Sequence, residues 1–459
     1  MATFHIENFG CRATQADAAA IEQQLLARGY VRSATSETAD VVVVNTCTVT
    51  ASADAQARQA IRAIHSTNPA AHVIATGCYA QRAPEELAAL EGVRWVVGNS
   101  HQTEIASLLG AASDSSFVPL ARVETEPMSL ARGPAKILTG NIFEQTDVLV
   151  APVDGGEAGH TRPILKIQDG CNNRCSYCVI PFVRGRSRSL KPTRVIEEVR
   201  RLATAGYREI VLSGINLGTY GRDLTPRVAL GDLLRVLLDE TPIERLRLSS
   251  MEPMDVTQDL VDLFASSDRL AHHFHIPLQS GSDRILAAMR RWYRAEHYAR
   301  RVELIRERLP EAGIGADVIA GFPGETEEDH AATMALIEQL QLTYLHVFSF
   351  SKRPGTTVAE LCGEVAPATI KRRSRELRAL GSRKQAAFLE AQVGKTLRVL
   401  TLRRSGTDDR GPWTGAIAGN YLSVRVEGSW PANQMLEVQT IHAMDTYLAS
   451  SASAIVRLP

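Results

Sequence analysis

The chain has 459 residues, room for roughly two to four domains, and its 44 % hydrophobic and 22 % charged content is that of an ordinary globular protein. Lys plus Arg balances Asp plus Glu at 51 each, so no overall field draws the chain to nucleic acid, and any such surface must come from local charge segregation. The N-terminus lacks the basic and apolar regions of a signal peptide, and the most apolar run, Val41–Val44, is far too short to span a bilayer, so a cytoplasmic protein with no membrane association is expected.

The first hundred residues alternate strand and helix. Phe4–Phe9 is a short extended run, and Asp17–Arg28 has helical spacing that stops at Gly29. Asp40–Asn45 is a β-branched buried-strand run, Ala51–His65 is helical, and His72–Gly77 and Arg94–Gly98 read as further strands. Repeated β-α units imply a parallel sheet covered by helices. Residues 111–160 are rich in turn and linker residues and are expected to connect domains. Six strands then alternate with helices over 161–391: Ile164–Gln168, Glu209–Ser213, Arg245–Ser249, His273–Leu278, Ala316–Gly321 and Tyr344–Phe350. Six β/α units are too few for a complete eight-fold barrel and predict a partial (β/α)6 barrel. From 392 to 459, short alternating runs with turns between them predict a small all-β, OB-like module. The fold class is therefore α/β, with domains at 1–110, 161–391 and 392–459.

Six of the seven cysteines fall into two sets of three. Cys171, Cys175 and Cys178 share one loop after the first barrel strand, where parallel α/β folds place their chemistry. Three thiolates can hold three irons of a cubane and leave the fourth without a protein ligand, unlike the four-Cys site of a ferredoxin. An open iron can chelate the amine and carboxylate of S-adenosylmethionine, and one electron then cleaves the sulfonium to an adenosyl radical. The alternative is a zinc knuckle, but zinc wants four ligands and only one CxxC is present, with His160 the nearest candidate to complete a set. Cys11, Cys47 and Cys78 have no local motif, yet each ends a successive strand of the first domain. Those ends lie on one sheet edge with strands roughly 5 Å apart, so their thiols can converge on a second open-iron site able to hold a sulfur atom. Three unrelated small buried residues are the alternative. Cys362 stands alone and is read as an incidental thiol.

The CxxxCxxC spacing is the signature of radical S-adenosylmethionine enzymes. Together with the second triad, the partial barrel and the β-module, the chain resembles the methylthiotransferase family over nearly its whole length. The segments that carry the resemblance are Asn45-Thr-Cys47, Gly77-Cys78, Gly170-Cys171, Arg184-Gly-Arg186, Ser249–Pro253, Ile276–Ser282, Asp317–Thr326 and Ser351–Thr356. One departure is Thr14, where the family usually has Asn. The resemblance implies two 4Fe-4S clusters on the two triads, S-adenosylmethionine as cofactor, a C-terminal TRAM RNA-binding domain, and a one-electron donor such as a flavodoxin or ferredoxin; a monomer is expected. Of the family's branches, one modifies isopentenyladenosine in tRNA, one a ribosomal-protein aspartate, and one threonylcarbamoyladenosine at tRNA position 37. Asn45–Thr50 with Ala53-Asp54, Gln168–Gly170 and Arg184–Ser189 resemble the third, which implies the tRNA anticodon stem-loop as partner. A non-catalytic iron–sulfur RNA-binding module is the rival from another class.

Groups to hold S-adenosylmethionine are expected at the strand ends of the barrel mouth: Gly214 and Asn216, Ser249, Gln279 and Asp317, with Tyr177 inside the cysteine loop as a stacking candidate. Gly321–Thr326 is glycine-rich without the Lys-Ser/Thr of a P-loop and is read as a turn. Asp17 and Glu7 suggest no acid/base pair. Residues 371–404 hold eleven Lys or Arg against Glu376 and Glu390, which predicts a phosphate-contacting face, a solvated helix face being the alternative. Arg290–Arg294, with Trp292 and Tyr293, suits unpaired bases, or a helix end packing on its neighbours.

Overall fold

The computed structural model describes residues 1–109, 135–149, 161–361, 363–409 and 411–457; Cys362, His160 and most of the expected connecting segment lie outside the described residues. The N-terminal domain is built on β1 (Thr3–Asn8), β2 (Val31–Arg32), β3 (Val41–Thr46), β4 (His72–Gly77), β5 (Val93–Gly98) and β6 (Lys136–Leu138). They form one parallel sheet in the order β2-β1-β3-β4-β5-β6. Val41–Val44 are all buried, as a central strand covered on both faces requires. Helices α1 (Arg12–Ala27), α2 (Ala51–Thr67) and α3 (Cys78–Arg82) follow β1, β3 and β4. β6 was not expected: it lies within the stretch read as connecting and extends the sheet edge beside β5.

The second domain starts with β7 (Ile164–Lys166) and a two-residue ribbon, β8 (Gln168–Asp169) with β9 (Arg188–Ser189), which brackets the cysteine loop and helix α4 (Ile180–Arg184). β10 (Glu209–Ser213), β11 (Arg245–Leu248), β12 (His273–His275), β13 (Gly313–Ala320) and β14 (Tyr344–Ser349) complete the six expected strands. They pair in parallel as β7-β10-β11 and β12-β13-β14, joined by a bridge from Leu246 to Leu270. One hydrophobic core runs between the strands and their helices, from Leu165 and Leu212 to Ile314 and Leu380. Each fully buried Leu, Ile or Val there contributes about 1.5–3 kcal/mol relative to exposure. The opposite strand face is polar: Lys166, Glu209, Arg245, Arg247, His273 and His275 are all buried.

Helix α5 (Pro367–Glu390) leads to β15 (Thr396–Asp408), β16 (Gly411–Ala418), β17 (Ser423–Glu427), β18 (Met435–Ala443) and β19 (Leu448–Arg457). These close into a five-stranded barrel, β15-β16-β17-β19-β18, as an OB-like module does. Its loop after β16 seals one end of the larger barrel. Glu209 accepts from Arg245 (2.6 Å) and Arg247 (2.7 Å), whose remaining donors reach the carbonyls of Ile417 (3.0 Å), Ala418 and Gly419 (both 2.9 Å). Tyr421 stacks on His273 at 4.4 Å and accepts from Arg12 Nη2 at 3.1 Å, so all three domains meet at this ring. Among the described residues, no helix is long and apolar enough to cross a membrane.

Candidate active site

Cys171, Cys175 and Cys178 lie between β8 and α4. Gly170 turns the chain into this loop with φ +71°; a Cβ there would stand 2.0 Å from the Arg186 carbonyl oxygen, so no larger residue fits. Cys171 N–H donates to Gly185 O (3.1 Å), and Ser176 is anchored to Met289 O (3.1 Å) and Ala288 O (2.8 Å). The sulfurs have donors of their own: Asn173 N–H lies 3.4 Å from Cys171 Sγ, and Arg291 Nη1 lies 3.2 Å from Cys175 Sγ. Burial pushes the Cys171 thiol up to about 11 and the Cys178 thiol up to about 12, so without a cation both stay protonated at neutral pH.

Cys11 ends the loop after β1, Cys47 follows β3 and Cys78 opens α3 after β4, as the strand-end reading requires. Cys11 is exposed and the other two are buried. Gly10, at φ +119°, allows the loops to close: a Cβ on it would stand 2.6 Å from Cys47 Cβ. At the departure from the family pattern, the Thr14 hydroxyl donates to the Cys11 carbonyl at 2.7 Å and closes the first turn of α1.

The two triads adjoin. Cys78 packs on Val179, Ile180 and Val183, the residues directly behind Cys178. Asn99 Nδ2 spans the contact, 3.6 Å from Cys78 Sγ and 2.7 Å from Val183 O. A cavity of about 190 Å³ opens beside them, lined by Val49 and Thr50 on one side and Tyr177, Cys178, Gln279 and Asp317 on the other. Three of the expected pocket residues thus face one space. Gly214, Asn216 and Ser249 form a separate patch: Gly214 N–H donates to Ser249 Oγ (3.2 Å) and Asn216 N–H to Gln168 Oε1 (2.9 Å). Asn216 neighbours Cys171, and its Oδ1 is buried without a partner. Tyr177 meets Phe322 edge-on at 6.4 Å, so its ring is braced from behind.

The donor sets suit iron–sulfur clusters. A single Zn²⁺ with thiolates at about 2.3 Å would need sulfurs within about 3.8 Å of one another. Among the described residues neither triad is found as a preformed single-ion site, and three thiolates are a ligand set for a cubane with one open iron.

The comparisons with known proteins follow this division. Residues 3–98 match the model described as "Uncharacterized protein family UPF0004", and residues 165–337 match the radical SAM superfamily. The chain is 36 % identical to the threonylcarbamoyladenosine tRNA methylthiotransferase MtaB of Aquifex aeolicus, over 94 % of this chain and 98 % of that one. The chain belongs to the radical S-adenosylmethionine methylthiotransferase family. Membership brings a 4Fe-4S cluster and S-adenosylmethionine. Another relative of this methylthiotransferase, the tRNA-2-methylthio-N(6)-dimethylallyladenosine synthase of Thermobifida fusca, is 35 % identical over 89 % of this chain and 79 % of its own. In fold, the methylthiotransferase is similar to the radical S-adenosylmethionine methyltransferase TsrM of Kitasatospora setae, with a TM-score of 0.57, 18 % identity and 78 % and 77 % of the two chains covered.

Several groups around the triads form pairings that the sequence did not indicate. Asp17, wholly buried on α1, accepts from Lys166 and from Arg184 Nη2 (2.8 Å), while Asp169 takes their remaining donors at 2.8 and 3.0 Å. Asp54 on α2 accepts from Thr48 (2.6 Å), Arg82 (3.0 Å) and Arg353, joining the Cys47 loop to the segment after β14. Arg291 belongs to the run read as suited to bases, but its side chain turns inward to Cys175 and Glu252. The partners Asp17–Arg184, Asp54–Arg353 and Arg291–Cys175 are remote in the chain and become visible only in the folded structure.

Part of the basic run 371–404 is committed to acids within the chain. Arg373 is buried against Glu325 (2.7 Å), Arg372 pairs with Glu327 (2.7 Å), Arg383 with Glu338 (3.1 Å), Lys395 with Glu311 (2.6 Å) and Arg398 with Glu244 (3.3 Å). Acids from distant segments thus meet five of the eleven basic residues that the sequence counts there.

Proposed function

We propose that this chain adds a methylthio group to carbon 2 of N6-threonylcarbamoyladenosine at position 37 of tRNA, with the anticodon stem-loop as its substrate. The observation that carries the substrate is the match to a threonylcarbamoyladenosine enzyme, 36 % identical along nearly the whole of both chains. Cys171, Cys175 and Cys178 would hold the radical cluster, and Cys11, Cys47 and Cys78 a second 4Fe-4S cluster serving sulfur delivery. When bound, the radical cluster supplies the electron that cleaves S-adenosylmethionine.

The remaining steps belong to this chain's own residues. Asn216, with its unpartnered buried oxygen beside Cys171, would receive polar groups of S-adenosylmethionine, supported by Gly214 and Ser249. Tyr177 and Gln279, on the cavity wall with Asp317, would hold its adenosyl part and shield the site from water. The cavity lies between Cys178 and the loop behind Cys47, so a base entering it would face both triads. The C-terminal barrel would grip the RNA, with Arg425 lying 4.2 Å from the Trp413 ring centroid and 3.9 Å from that of Tyr447 as a cation–aromatic surface.

The test is mass analysis of tRNA nucleosides from a strain lacking the gene. Loss of 2-methylthio-N6-threonylcarbamoyladenosine is expected, and its persistence at the normal level overturns the substrate. For the second cluster, about eight irons per chain are expected, falling to about four in a Cys11/Cys47/Cys78 triple Ala variant.

A further inference from the structure

β12, β13 and β14 lie side by side in parallel register, with His275 opposite Gly315 and Asp317 opposite His346. Successive residues of a strand face opposite ways, so His275, Asp317 and His346 share the lumen face while Phe274, Ala316 and Val318 point into the core. Asp317 Oδ1 lies 3.0 Å from His275 Nε2 and 3.2 Å from His346 Nδ1, and the three ligand atoms all fall within 4.8 Å of one another. We propose that His275, Asp317 and His346 form a binding site for a divalent first-row transition-metal ion, separate from both cysteine triads.

Spacing is the first argument. Imidazole nitrogen and carboxylate oxygen bind such ions at about 2.0–2.2 Å, which puts neighbouring ligands at right angles about 3 Å apart. The two short pairs match that edge.

The second argument is a lone pair. His275 is buried, and its Nδ1 lies 2.7 Å from the Ser250 hydroxyl. If the hydroxyl accepts the Nδ1 proton, Nε2 presents a bare lone pair, the form in which a histidine binds metal. Nε2 has no aligned hydrogen-bond partner although a carboxylate oxygen stands 3.0 Å away. A proton on Nε2 would bond well only along the line to the carboxylate oxygen, and the two atoms are off that line; an ion coordinated by both needs no such alignment.

The third is access and donor type. Asp317 lines the cavity and His346 is half exposed, so a three-ligand set leaves positions open to water or an anionic oxygen from that side. Two imidazoles and one carboxylate select a transition ion over Mg²⁺ or Ca²⁺, and the absence of sulfur separates the site from iron–sulfur assembly.

The test uses the cluster-loaded enzyme under anaerobic conditions, titrated with Mn²⁺ while the six-line electron paramagnetic resonance signal of free Mn²⁺ is followed. One site per chain is expected, emptied by Zn²⁺. His346→Ala should abolish it and Ser250→Ala should weaken it by about ten- to a hundredfold, with iron and sulfide content unchanged in both. His346 is exposed enough for its variant to fold, and the iron and sulfide content verifies this. Undiminished Mn²⁺ binding by a cluster-loaded His346→Ala protein, or no saturable binding of either ion by the unaltered enzyme, overturns the proposal.

Discussion

Arg184 Nη2 donates to Asp17 Oδ2 at 2.8 Å across the boundary between the N-terminal sheet and the barrel. Asp17 lies on the helix that starts after Cys11, and Arg184 ends the helix that starts after Cys178. One buried ion pair therefore ties the backbone behind one triad to the backbone behind the other. Asp17→Asn would leave Lys166 and Arg184 with only Asp169 to balance them. A destabilisation of about 3–5 kcal/mol is expected, read by urea denaturation of the cluster-free protein, because a buried charge that loses its partner bears its full desolvation cost. An unchanged midpoint would mean that the two domains do not dock as described.

Arg291 offers a second measurable change. Its guanidinium stands 3.2 Å from Cys175 Sγ and favours added negative charge on a cluster held there. Arg291→Leu should shift the radical cluster's reduction to a more negative potential in an electron paramagnetic resonance redox titration, and slow deoxyadenosine formation. A cluster on the N-terminal triad, for which no contact with Arg291 is found among the described residues, would serve as the internal control.

Trp292, next in sequence, is 78 % exposed, although its neighbour Tyr293 is buried. An indole left in water beside a cysteine loop suits stacking on an unpaired base. Trp292→Ala should weaken anticodon stem-loop binding by about 1–3 kcal/mol and leave thermal stability unchanged. Fluorescence anisotropy with a labelled stem-loop measures this, and equal affinity would remove Trp292 from the RNA surface.

His273 makes stability depend on pH. Burial first, then the nearby Arg247 charge, hold its imidazole well below the ordinary 6.5. The unfolded chain takes up a proton below about pH 6.5 that the folded chain refuses, so stability falls as pH drops through that value. Thermal melts from pH 7 to pH 5 should show this decline, and His273→Gln should flatten it.

What could be read from the chain was whatever is local. All six barrel strands announced themselves as short apolar or alternating runs, and the CxxxCxxC loop needs no partner to be recognised. The strand-end placement of Cys11, Cys47 and Cys78 was legible because parallel topology carries successive strand ends to one edge. Pairings that depend on docking were not. Arg245-Leu-Arg-Leu248 alternates like a solvent-facing strand, yet its polar side faces a closed lumen where Glu209 waits. The counter-charges of the basic run after residue 370 were hidden for the same reason, since several arrive from upstream β/α units. His275 and His346 passed unremarked because a histidine in a strand carries no signal until its neighbours in the sheet are known.

The seal that the C-terminal barrel makes on the larger one bears on how such a protein could be rearranged. Arg245 and Arg247 direct their outer donors to carbonyls of Ile417, Ala418 and Gly419, so part of the catalytic domain's interior chemistry is completed by another module's backbone. A truncated or transplanted version would carry two arginines with unanswered donors at its open end. The C-terminal barrel is therefore not an interchangeable attachment, and any exchange between relatives would have to preserve that loop's path as faithfully as the cysteines themselves.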